Sequence, residues 1–174
     1  MIAEVRKMPT EFDALFERSL GSLSASLDKA VQHALEEYER LRQMGKKGGL
    51  SHIYISLLLS AVLCKLPWLR IDLYDENGLN DINECCADWD VPNISDKLYR
   101  DADTLAKQKD RMKDYELEQA WLDAADEYFG NFERFLPAII GACPVMQKVD
   151  CRWHFGQFLG NTVVVRENSK DEIL

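Results

Sequence analysis

No lysine, arginine or histidine occurs between Arg70 and Lys97, and the same stretch holds eight of the chain's 30 acids. The net charge of −9 therefore sits almost entirely in one window, leaving the rest close to neutral. A sequence pI near 4.9 argues against direct nucleic-acid binding, because duplex affinity depends largely on cations that displace condensed counterions. Docking on anionic membranes is disfavoured for the same reason. A spanning segment is missing as well. The longest apolar stretch, Ile53 to Leu66, is interrupted by Ser56, Ser60 and Lys65, short of the roughly 20 residues that a transmembrane helix needs. Residues Met1 to Lys7 contain no apolar signal core. The terminal Lys170-Asp171-Glu172-Ile173-Leu174 approximates an ER-retention tetrapeptide with an extra isoleucine, but nothing predicts entry into that compartment. Five cysteines, an odd count without a signal, predict reduced thiols and a cytoplasmic location. Also absent are G-x-S-x-G, H-E-x-x-H, the P-loop and the dinucleotide-binding glycine pattern. The expectation leans away from an enzyme, with no cofactor.

What is present predicts one globular domain over residues 1–174, since 47% of the residues are hydrophobic and 10% aromatic. Phe12, Phe16, Leu20, Leu23, Leu27, Ala30, Ala34, Tyr38 and Leu41 recur at steps of three and four, which predicts a helix over 11–44. Gly21 weakens its middle, and Gly48-Gly49 are expected to stop it. Ser51 is placed to cap a second helix to about Leu66, although Ile53-Tyr54-Ile55 would equally open a strand. Residues 68–74 alternate and read as a strand. The acidic region 72–96 reads as loop, with turns at Glu76-Asn77-Gly78 and Asn80-Asp81. Helices are expected from Pro92 to about Lys107 and from Asp110 to about Leu136, the latter with Met112, Tyr115, Trp121, Ala125, Tyr128, Phe132 and Phe135 on one face. Residues 149–167 read as a β-hairpin closed by a two-residue Gly160-Asn161 turn, and 168–174 as a frayed tail. The expected fold is α+β: a helix-rich single domain with a small antiparallel sheet, built from the strand near 68–74 and the hairpin 149–167.

Three constellations invite chemistry. Counted with Gly78 as sixth position, Asp75, Asn77, Asp81 and Glu84 fall at ligand positions of a calcium loop, but Leu73 stands where the first carboxylate belongs. Cys85, Cys86, Cys143, Cys151 and His154 suggest zinc, yet only Cys151 and His154 have chelating spacing, and a strand points residues three apart to opposite faces. Buried thiols are the simpler reading. Cys151 with His154, or Cys64 with His52, would pair a nucleophile with a base, but nothing marks either thiol as activated.

The expected function is therefore a non-enzymatic interaction protein whose acidic window docks on a basic surface of a partner protein. The candidate binding residues are Asp72, Tyr74, Asp75, Glu76, Asp81, Glu84, Asp88, Trp89 and Asp90. Trp89, between two aspartates, reads either as an interface anchor or as a side chain tucked inward. Nucleic-acid-handling proteins offer the commonest large cationic surfaces, so the concrete form is an inhibitor whose carboxylates stand in for phosphates. In charge character alone the chain is similar to phage-encoded anti-restriction and anti-CRISPR inhibitors, and immunity proteins against basic toxins share that character. The alternative is a small cytosolic enzyme holding a divalent cation with Asp72, Asp75 and Asp81.

Overall fold

The long periodic segment forms one uninterrupted helix, α1 (Met8–Gln43), with Phe12, Phe16, Leu23, Leu27, Ala34 and Tyr38 buried along one face. Gly21 does not break it. The stop comes earlier than Gly48-Gly49: Gly45 adopts φ 70°, and the Lys46 amide donates to the Leu41 carbonyl at 2.9 Å. That closing bond needs a left-handed residue, which glycine supplies at least cost. The computed structural model describes residues 8–107, 113–145 and 149–167; the expected tail 168–174 and Met112 lie outside them.

The segment expected to be a helix after Ser51 is instead β1 (His52–Leu57), followed by a one-turn α2 (Leu59–Leu63). Local apolar density could not decide this. Ile53, Ile55 and Leu57 are buried on one face of a central strand, and pairing on both edges repays the extended backbone. β2 (Trp68–Tyr74) lies antiparallel to β1. On its far side runs β3 (Cys86–Asp90), a strand inside the window expected to be wholly irregular. Next come α3 (Pro92–Lys107), α4 (Asp114–Glu133) and the short α5 (Leu136–Gly141), then β4 (Arg152–Gln157) and β5 (Thr162–Glu167). The hairpin loop takes Phe158 to Asn161, not two residues. Leu159, at φ 56°, carries the left-handed conformation expected of glycine.

The fold is α+β as expected, but its sheet is larger and mixed. Five strands run in the order β3-β2-β1-β4-β5. The hairpin joins β1, not β2, and that seam is parallel: Tyr54 lies opposite His154 and Ile55 opposite Phe155. One face of the sheet is apolar and covered by helices. Phe132 of α4 packs against Trp89 and Phe155 with centroids 5.8 and 6.1 Å away. The Trp89 indole N–H donates to Ser26 Oγ of α1 at 2.9 Å. Trp89 is thus fully buried, because alternation along β3 turns it inward and its two aspartate neighbours outward. Among the described residues no helix is long and apolar enough to cross a membrane.

Candidate functional site

The acidic window divides into carboxylates that hold the structure together and carboxylates that face solvent. Asp72 is buried on β2, and Arg70 Nε lies 2.9 Å from each of its oxygens. Burial holds the Asp72 carboxyl above its ordinary range despite the guanidinium. Asp75 is buried too. It accepts from the Gly48 amide at 3.0 Å and the Asn77 amide at 2.9 Å. Burial opposes its ionisation, but those donors outweigh burial and hold it below the usual carboxylate range. Asp81 pairs with Lys47, whose side chain is wholly buried. The Lys47 ammonium also donates to the Leu73 carbonyl at 3.0 Å and sits 4.9 Å from the Tyr38 ring centroid. Tyr74 is buried against the same cation, 5.8 Å from its ring centroid. These four, with Trp89, were expected at a docking surface; the fold spends all five internally.

Around Lys47 these bonds make a clasp. The turn leaving α1 supplies the cation and amides, and the loop from Asp75 to Glu84 wraps it with carboxylates. Asn83 closes the wrap, donating from Nδ2 to the Lys46 carbonyl at 2.8 Å and from its amide to Asp81 Oδ1 at 2.9 Å. A Cβ on Gly48 would meet the end of the Glu76 side chain, an exposed carboxylate that can swing aside. Between the tethered Asp81 and Asn83 stands Ile82, 93% exposed. Leu79, on the same loop, is 57% exposed. Glu76, Glu84, Asp88 and Asp90 face solvent, and Glu84 also reaches Arg70. Neither apolar residue was among the expected contacts, although an isoleucine between Asp and Asn in a turn-rich segment was a readable signal.

The sheet face away from α1 and α4 carries a second group. His52 and Tyr54 on β1, His154 on β4, and Arg70, Asp72 and Tyr74 on β2 share it by register. His52 Nδ1 lies 3.1 Å from His154 Nε2, and the Tyr54 ring stacks on His154 at 4.2 Å and 6°. Burial, then the neighbouring Arg152, pushes the His52 imidazole below its ordinary value. Burial and His52 do the same to His154. Both shifts favour the uncharged pair, and at 3.1 Å one neutral ring can donate to the other. These histidines lie 102 residues apart, which is why spacing suggested cysteine partners instead. Cys151 is buried, its thiol pushed up to about 12 by burial. Cys64 is exposed.

The metal constellations do not assemble. Among the described residues no three His, Cys, Asp or Glu side chains are placed to hold an ion. Cys85 and Cys143 donate to the Ala34 and Ser24 carbonyls at 2.9 and 3.3 Å inside the core, while Cys86 points outward. Gly78 has the left-handed φ of a calcium-loop sixth residue, 58°, but Asp75 and Asp81 are directed at Gly48, Asn77 and Lys47. No family model, curated protein or solved structure matches this chain.

Proposed function

We propose that this chain is a non-enzymatic acidic interaction protein that docks on a basic surface of a partner protein through the loop 76–84 and the outward side of β3. The observation that carries the reading is Ile82. An aliphatic side chain in water is unfavourable by up to about 2–3 kcal/mol relative to burial, and here it contributes nothing to the core. Its neighbours are nonetheless pinned to the Lys47 clasp. A side chain displayed on ordered backbone loses little freedom when a partner covers it. The solvent-facing carboxylates Glu76, Glu84, Asp88 and Asp90 supply the field that attracts and orients a cationic surface. Nucleic-acid-binding grooves are the partner class of choice, with carboxylates on alternate residues of an extended edge strand occupying phosphate positions.

The test is capture of partners by the immobilised protein, compared with Ile82→Asp and with the double variant Asp88→Lys/Asp90→Lys. The reading expects a partner that is released by rising salt and by a competing polyanion such as heparin, and that is lost in both variants while thermal stability holds. Capture unchanged in both variants overturns it. The metal-enzyme alternative is disfavoured by a specific arrangement: the oxygens of Asp72, Asp75 and Asp81 already accept from Arg70, from two backbone amides and from Lys47.

A further inference from the structure

Away from the clasp, a groove of about 180 Å³ separates α4 from the β4–β5 hairpin. Its lining is largely apolar, from buried Leu57, Phe129 and Phe155 and the half-exposed Val163, with Gln157 and Asn161 on the hairpin side. Its α4 wall carries Asp126 and Glu133, seven residues apart and so two helical turns, about 10 Å. Neither carboxylate has an ion-pair partner among the described residues. Between them stands Gly130.

That glycine is unexplained by the fold. A helix-interior glycine is destabilising relative to alanine, and it is normally retained for a left-handed backbone or a close neighbour. Gly130 has neither, since a Cβ built there meets nothing within 4 Å. The space above it belongs to the groove. A largely apolar lining with two unpaired carboxylates on one wall complements one kind of side chain, a long alkyl stem ending in a cation.

We propose that this groove is a receptor for a lysine side chain of a partner protein. The stem lies over Phe129 and Val163, and the ammonium is met by Asp126 or Glu133. Lysine fits better than arginine because its point charge can be satisfied by a single carboxylate, whereas a guanidinium fork calls for bidentate pairing. The inference rests on the proposed function for the basic character of the partner, and it adds a contact site on a different part of the molecule.

The experiment titrates the intact protein with N-acetyl-lysine methylamide, and separately with the norleucine analogue that keeps the stem and lacks the charge, following backbone amides by NMR. The lysine probe is expected to shift Gly130, Gly156 and Val163 saturably. The norleucine probe should bind about tenfold more weakly, the loss of one charge-assisted contact. Gly130→Leu fills the groove from a position where its Cβ has room, so it should abolish the response while leaving the thermal midpoint equal or higher. Absent saturable shifts, equal binding of norleucine, or a response unaffected by Gly130→Leu each overturn the proposal. Ile82→Asp should leave the probe response intact, so failure of the groove and failure of the docking loop are separately visible.

Discussion

Asp81 and Asp88 are the same residue type in the same acidic window, and the structure treats them oppositely. The Asp81 side chain is 2% exposed against a wholly buried Lys47; Asp88 faces solvent from an edge strand. The difference lies in which carboxylates are met by donors from elsewhere. Lys47 arrives from 34 residues upstream, and Arg70 reaches in from the window's border. A segment without bases of its own has borrowed two. Local charge counts therefore overstate how much negative potential a surface displays, and the remainder must be located by burial.

The sharpest way to break this contrast is to remove the inner member of each kind. Asp81→Ala leaves a buried ammonium without its counter-charge and should cost about 3–5 kcal/mol, read as a fall in the denaturant midpoint at constant slope. Trp89→Ala, which an interface role would have left thermally silent, should cost a similar 3–5 kcal/mol as a core truncation. Asp75→Ala frees the Gly48 and Asn77 amides and should cost about 1–3 kcal/mol. The histidine pair sharpens the comparison from the other face. Both imidazoles are held below the free value of about 6.5, so the unfolded chain binds protons that the folded one resists. Stability should then fall as pH drops from about 7 towards 5, and His52→Gln/His154→Gln should flatten that slope relative to the parent. Smallest of all, Asp88→Lys/Asp90→Lys should change stability by no more than about 0.5 kcal/mol, a thermal shift near the limit of detection. A large loss there would erase the distinction between inner and outer carboxylates.

Much of the fold was legible. The period of α1 named its buried face from Phe12 to Leu41 almost residue for residue, because a long amphipathic repeat has only one solution. Alternation likewise marked β2 and the terminal hairpin. What failed was decided by partners distant in the chain. Ile53 to Leu57 became a strand because β2 and β4 flank it, and no local propensity contains that information. Cys86 to Asp90 is a weak strand by composition, yet Trp89 has a waiting hole beneath α1. The candidate site was the least legible. Solvent-facing Glu76, Glu84, Asp88 and Asp90 were named together with five residues that fold inward, while Leu79, Ile82 and the His52–His154 pair were missed. Charge says where a field originates, but only the clasp reveals which side chains are left over to express it.

The parallel seam between β1 and β4 has a kinetic consequence. β1, β2 and β3 follow one another within 39 residues of chain and can pair by local turns. β4 and β5 form a hairpin of their own. Their junction pairs His52 with Arg152, a closure across about 100 residues, whose loop entropy must be met before its contacts are gained. Until then the inner edge of β1, with Ile53 and Ile55 beside it, stands open on a partly folded chain. That edge is the segment at which slow folding would lead to aggregation.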